Sequence, residues 1–546
     1  MSLIALLLLQ AAGAQTLSNT QKLEATARIW GFLKYYHPQV AAGKYNWDDK
    51  LIELLPVVEQ VNTTKELSKV YLNWIDGLGN VPVCKKCSQQ SKKDSFDKNF
   101  DMGWMENSAV FTPELTAKLK YIEANRLLGN KHYAAPEPNL QIKVQNEPEY
   151  TNFEYPAREY RLLSLFRYWN IIEYFFPYKY QTDQKWNDVL TEMIPEYINA
   201  VNAEEYHLAM LKTVAKIDDS HASLKSNVIS NMLGDYWVPF ATKIIDNKAV
   251  VIRLFDEKFC AKDDIRIGDA ITHFNNKSIE ELFNEKKPYI PASSEAGKRR
   301  NATASRLFQG HYNEPVIIKF ERAGIVSEKA IIRYKTDDFS KKTPLTQPAY
   351  KKLDGVVGYV DMGILEYKDI KNIFTDLKDC KSIIFDLRKY PKSTSGGIAH
   401  YILPEKKEYA KLIYPDLDYP GKYRPIDKDF TIGGSMNKKN IYQGKIILLI
   451  NESTQSQGEF TTMILSNSDK AVKVGSATAG ADGDVSDFPF IGGYLTRISG
   501  LGVFYPDWRE TQRIGIIPDI QAHPTIAGIQ AGKDEELDKA IEIANQ

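Results

Sequence analysis

The sequence predicts a multidomain α/β protein. Three patterns predict it: an internal repeat of helix-forming segments in the first half, a run of short strands in the middle, and alternating strands and helices from about residue 353 onward. At 546 residues the chain exceeds what one hydrophobic core accommodates. Expected from the start are an export leader at 1–14, helical repeat copy one at 18–90, a linker with loops at 91–157, copy two at 158–231, a β module at 232–338 and an α/β core at 345–546.

The leader is a short apolar run ending in the small residues Ala12-Gly13-Ala14, too short to span a bilayer, which takes ~20 apolar residues. It predicts an exported protein, periplasmic or extracellular, and no later stretch is long and apolar enough to be a membrane span. The repeat is read at a constant offset. Arg28-Ile-Trp30 and Tyr35-Tyr36 through Pro38 align with Arg167-Tyr-Trp169 and Tyr174-Phe175 through Pro177, and Trp47, Asp49 and Pro56 align with Trp186, Asp188 and Pro195. Apolar residues at Ile29, Phe32, Leu33 and Tyr36, and at Tyr168, Ile171, Ile172 and Phe175, have the spacing of one buried helix face, stopped by the proline. The copies end differently: Asp76-Gly-Leu-Gly79 in the first, Asp218-Asp-Ser-His221 in the second.

Short strand-like runs follow at Ala249–Arg253, Ile265–Asn275, Pro315–Phe320 and Lys329–Arg333. Farther on, Gly355–Val360, Ser382–Asp386, Lys445–Ile450 and Ala471–Val474 are apolar strands, most of them followed by helical segments. That alternation marks a largely parallel sheet covered by helices.

Composition narrows the function. Lys+Arg and Asp+Glu are equal at 70 each, so nothing supplies the counterion release on which nucleic-acid binding depends. Only four cysteines occur, and Cys84 and Cys87 read as a local disulfide. No phosphate-binding glycine loop, nucleotide fingerprint or metal set appears, and no cofactor is expected.

The chemistry gathers late in the chain. Ser456 stands between a buried strand and a helix, where the N–H of Gln457 and the helix dipole suit a developing oxyanion; taken alone, such a serine is an ordinary N-cap. Gly396 and Gly397, after a strand, can bring bare backbone N–H groups to a substrate, although Gly-Gly is also common turn chemistry.

Asp386-Leu-Arg388 with Gly396-Gly397, Asn451 to Glu459, Gly475 to Gly480 and Gly515 to Asp519 follow one another as in the tricorn-core and C-terminal-processing serine peptidases. The resemblance spans 353–546 and implies a ClpP/crotonase-like α/β core with Ser456 as nucleophile. The segment Ile267-Gly-Asp-Ala-Ile271 through Phe274-Asn-Asn-Lys277 resembles PDZ domains, which bind an extended peptide at a sheet edge. Processing peptidases carry a general-base Lys directly after their Thr-x-Gly segment, but Ala481 follows Thr478-Ala-Gly480 here. The tricorn-like branch uses a His preceded by a Ser, plus a distant Glu. Resemblance thus gives His221 as base, Ser220 as its polar partner and Glu510 as the acid, with Gln512 in the closer register and His400 as rival base. The implied activity is cleavage of polypeptides through an acyl-enzyme, the substrate held by its C-terminal tail. The alternatives are a non-catalytic ligand- or peptide-binding protein on the same core and a serine hydrolase of small esters or amides.

Overall fold

The computed structural model describes residues 16–90, 94–305, 307–312, 314–339, 347–434 and 440–546, so the leader at 1–14 lies outside the described residues. Copy one of the repeat is built from α1 (Asn19–Tyr36), α2 (Trp47–Gln60) and α3 (Thr64–Asp76). Copy two is built from α4 (Arg158–Phe175), α5 (Trp186–Asn199) and α6 (Ala203–Ala215). The same bond pattern closes both copies. Trp30 Nε1 donates to the carbonyl of Trp47 and Trp47 Nε1 to that of Trp30, each at 3.0 Å. Trp169 and Trp186 repeat the exchange at 2.9 and 3.0 Å. Each indole thereby buries its ring while satisfying its only polar atom.

The one-face spacing understates how deep these helices lie. Every residue of α4 from Arg161 to Phe175 is buried, because α4 is enclosed by α1, α2, α5 and parts of the C-terminal domain. Its charged side chains are therefore paired. Arg167 contacts Asp48 and reaches Glu147 at 3.3 Å, and Glu147 also pairs with Lys34, all with side chains no more than 5% exposed. Pairing offsets the large cost of placing such charges in a low-dielectric interior.

After α6 the chain forms the two-residue strand β1 (Ser223–Leu224) and then an antiparallel sheet. Its strands are β2 (Phe240–Ile245), β3 (Lys248–Leu254), β4 (Ala270–Phe274), β5 (Val316–Arg322) and β6 (Ile325–Ile331), with helix α7 (Glu295–Ser305) packed on edge strand β2. The spatial order is β6-β5-β4-β3-β2.

The C-terminal sheet runs β7 (Tyr350–Leu353), β8 (Val357–Asp361), β9 (Ser382–Asp386), β10 (Lys445–Ile450), β11 (Ala471–Gly475) and β14 (Ile520–Gln521) in spatial order; β12 (Val485–Pro489) and β13 (Leu495–Ser499) lie outside it. All pairs but the first are parallel. Ile446, Leu448 and Ile450 point to the side holding helices α8 (Ser395–Ile402) and α9 (Gln457–Leu465), while Ile447 and Leu449 meet α10 (Glu535–Asn545). Side chains alternate across a strand, so a strand covered on both faces must be apolar throughout.

The hairpin of β12 (Val485–Pro489) and β13 (Leu495–Ser499) leaves this domain to join the helical repeats. Phe490, at its turn, stacks on Tyr168 with ring centroids 4.7 Å apart, and β13 pairs with β1. Cys84 and Cys87 are joined by a disulfide. No helix among the described residues is long and apolar enough to cross a membrane.

The reciprocal tryptophan bonds generate a prediction. Trp169→Phe removes the indole donor to the Trp186 carbonyl and opens a void in the core, and should cost about 2–4 kcal/mol of stability in chemical denaturation.

Candidate active site

Ser456 is the residue between β10's connecting loop and the first turn of α9, and its φ is +54°. A non-glycine residue in that region is strained and persists only where its surroundings hold it. Here the holder is Glu459, three residues on, in the Ser-x-x-Glu spacing of a capping box. Its carboxylate accepts from the N–H of Ser456 at 3.2 Å, Ala481 at 3.0 Å and Gly480 at 2.9 Å, and from the Thr478 hydroxyl at 2.5 Å. Burial pushes the Glu459 carboxyl above the usual range, and these four donors oppose that shift. Ala481 returns the contact, its carbonyl accepting the Ser456 N–H at 2.9 Å.

Gly480 is required where it stands. Its φ is +73°, its carbonyl accepts from Arg513 N, and an added Cβ would lie 2.9–3.0 Å from the Arg513 backbone. Asp482 follows, fully buried, with one carboxyl oxygen unpartnered and its pKa pushed well up by burial and by Glu459.

His221 lies between α6 and β1, with an 8% exposed side chain. The two segments touch directly: Gln455 Nε2, one residue before Ser456, donates to the carbonyl of Ser220, one residue before His221, at 3.1 Å. His221 Nε2 is buried and without a hydrogen-bond partner, and no bond joins it to the Ser456 hydroxyl. Nδ1 lies 2.8 Å from Ser499 Oγ, and Ser499 Oγ lies 2.9 Å from Asp219 Oδ1. Burial lowers the His221 pKa below its ordinary value of 6.5, with Asp219 opposing the shift.

Two sequence expectations need correction. Ser220 does not touch the His221 ring: its hydroxyl accepts from Ser293 N and its N–H donates to Ser293 Oγ, both at 2.8 Å. Ser499, from another domain, takes that position. Glu510 is also elsewhere, bound by Lys98 at 2.7 Å, the Tyr180 hydroxyl at 2.7 Å and Gln181 at 2.8 Å. A half-buried carboxylate settles on the cation and donors in its reach. Gln512, two residues farther, is the buried one, its amide 3.4 Å from Asp219.

Gly396 and Gly397 lie in the first turn of α8, whose leading N–H groups have no acceptor within the helix. An added Cβ on Gly396 would meet only Ile432, at 3.7 Å, whereas Gly397 packs against Ile370 and Tyr367. Helix α8 lies alongside α9: Thr454 Oγ1 donates to the Leu387 carbonyl at 2.9 Å, and Pro391 closes on Gly458. Gln457 is the first residue of α9. His400 sits in the last turn of α8, away from the end that faces the serine loop.

The β module also reaches the serine loop. Arg300 of α7 donates to the Glu452 carbonyl at 2.6 Å and to Gln455 Oε1 at 2.8 Å, and Lys243 of β2 pairs with Glu452 at 2.8 Å. Among the described residues no cluster of three or more His, Cys, Asp or Glu side chains could hold a metal ion.

Asp219 and Glu459 were legible only in part. Asp219 stands inside the quoted Asp218–His221 string, and Glu459 has the capping-box spacing; Ser499 carries no local signal at all.

Residues 355–522 match the model of peptidase family S41. No curated protein matches the chain. Among solved structures, mature CPAF complexed with lactacystin aligns with a TM-score of 0.56 at 13% identity, covering 71% of this chain and 98% of that one. The photosystem II D1 C-terminal processing protease gives 0.38 at 15%, over 70% and 98%, and the tricorn protease 0.35 at 14%, over 71% and 36%. The likeness to CPAF is one of fold.

The Glu459 clamp yields a second prediction. In Glu459→Gln one carboxylate oxygen becomes an NH2 facing backbone donors, which should cost about 2–4 kcal/mol. Reaction of Ser456 with a fluorophosphonate should slow in the same variant, as the strained turn loses its support.

Proposed function

We propose that the chain, whose residues 355–522 match the model of peptidase family S41, is an exported serine-type peptidase in which Ser456 is the nucleophile and His221 the general base. The observation that carries this reading is the meeting of two segments from different domains. The loop of a serine held at positive φ at a helix start touches, through Gln455 and Ser220, the turn of a histidine whose Nε2 is buried and without a hydrogen-bond partner.

In this mechanism Ser456 Oγ attacks the scissile carbonyl while its proton passes to His221 Nε2. The developing oxyanion is received by the N–H of Gln457 with those of Gly396 and Gly397, two helix starts side by side. The proton then goes from Nε2 to the leaving amine, giving an acyl-enzyme and a free amino terminus. Water, deprotonated by the same nitrogen, releases the acid and restores the serine. Ala481 has no part in proton transfer; it is buried and gives only backbone bonds to Ser456 and Glu459.

The β module is read as PDZ-like, and the core as ClpP/crotonase-like. A cleft of about 510 Å³ opens between β2, α7 and the serine loop, lined among others by Thr242, Lys243, Ala296, Arg300, Glu452 and Ser453. An extended substrate tail added to the edge of β2 in this cleft would run toward Ser456. Export is supported by the apolar leader and by the Cys84–Cys87 disulfide, which belongs to oxidising compartments.

Ser456→Ala should abolish turnover of denatured casein and fluorophosphonate labelling while leaving the melting temperature nearly unchanged. His221→Ala should cost several orders of magnitude in rate, as loss of a triad base does, and adding Ala481→Lys should not restore it. Wild-type casein turnover in either single variant defeats the assignment. The pH profile has a definite sign. Folding favours the neutral ring, so activity should hold down to a pH below 6.5 and fall as the ring protonates, the acid limb lying lower than for a free imidazole.

A further inference from the structure

The Ser499 hydroxyl has one proton and two polar neighbours. His221 Nδ1 lies 2.8 Å away and Asp219 Oδ1 2.9 Å away. Asp219 is fully buried, and every other group around its carboxylate is a donor: Ser499 N at 2.7 Å, His221 N at 3.1 Å and Gln512 Nε2 at 3.4 Å. Three donors already face this carboxylate, which makes it the acceptor for the Ser499 hydroxyl as well. The lone pair left on Oγ then accepts from Nδ1–H. With the ring proton on Nδ1, the base is Nε2, the nitrogen that is buried and without a partner.

On this geometry, and resting on the serine-peptidase reading above, we propose that Ser499 and Asp219 are the positioning residues of His221. Ser499 fixes the tautomer and orientation of the ring, and Asp219 supports the imidazolium through it. The hydroxyl is needed as the link because Asp219 Oδ1 is 3.8 Å from Nδ1, too far to bond directly. No proton reaches Asp219 in the cycle: the one taken from Ser456 stays on Nε2 until the leaving amine receives it. The other charges felt by the ring are Asp484, which favours its cation, and Arg497 and Arg300, which oppose it.

Strand register builds the link. Leu224 pairs with Thr496 and Ser223 with Arg497, and the turn that leads into β1 sets His221 against Ser499 at the end of β13. A slip of one residue would turn the Ser499 side chain to the other face of the strand. The relay therefore spans 278 residues of sequence and joins two domains through one short strand pair.

The test uses the full chain on denatured casein, with Ser499→Ala, Ser499→Thr and Ser456→Ala, and reads ¹⁵N shifts of the His221 ring in the wild-type protein. The wild-type ring should be protonated on Nδ1. Ser499→Ala should lower kcat about a hundredfold with KM little changed, and its acid limb should move to lower pH as the imidazolium loses Asp219's support. Ser499→Thr, which keeps the hydroxyl, should return activity to within a few-fold of wild type. A wild-type ring protonated on Nε2, or Ser499→Ala with wild-type kcat and acid limb, overturns the proposal. The wild-type tautomer decides the matter even if Ser499→Ala fails to fold. Phosphonate labelling that persists in Ser456→Ala would instead defeat the serine-peptidase reading itself.

Discussion

Two residues of antiparallel pairing, β1 against β13, tie the His221 segment to the domain that carries Ser456. His221 belongs to the end of a helical repeat and Ser456 to an α/β sheet, and neither domain holds both. The β12–β13 hairpin crosses between them, and its aromatic turn buries Phe488 and Phe490 among the repeat helices. That burial supplies the stability that so short a strand lacks by itself, since an isolated hairpin is marginal in water. The Gln455–Ser220 and Arg300–Gln455 bonds then fix the third partner, the β module, to the same loop. Stability and site geometry are here the same set of contacts.

The strain at Ser456 is stored against a buried carboxylate. Glu459 joins the serine turn to the Thr478–Ala481 loop through four hydrogen bonds, and the Ser456 N–H is shared between Glu459 and the Ala481 carbonyl. Such a network is costly if any member is missing and rigid when all are present. In the mechanism proposed above this loop gives only backbone to Ser456, and the proton acceptor comes from outside the domain.

The repeat shows how one scaffold serves two ends. Both copies keep the reciprocal tryptophan bonds and a proline inside the second helix, Pro56 and Pro195. They part at the turn after the third helix. Copy one ends in Gly79 at φ +88°, whereas copy two bends at Asp218, φ +50°, which is held by Lys298 at 3.1 Å and by Asp183 N at 2.9 Å. A non-glycine residue there is strained, and its polar partners offset the strain.

The sequence alone determined what depends on local pattern. Helical spacing and proline stops marked α1 and α4, and strand–helix alternation marked the buried strands, whereas Ser456 and His221 were singled out by the resemblance to tricorn-core peptidases. The capping-box spacing of Glu459 was also there to read. Only the tertiary structure decided the company of His221. The resemblance suggested Ser220, but Ser220 and His221 share the turn before β1, and the hydroxyl and N–H of Ser220 are both taken by Ser293. A distant acid suggested Glu510, but that side chain meets Lys98 first, and Asp219 is the carboxylate that remains. Ser499 reaches the ring through strand register, and register is a property of two paired segments, so neither segment's residues carry it alone.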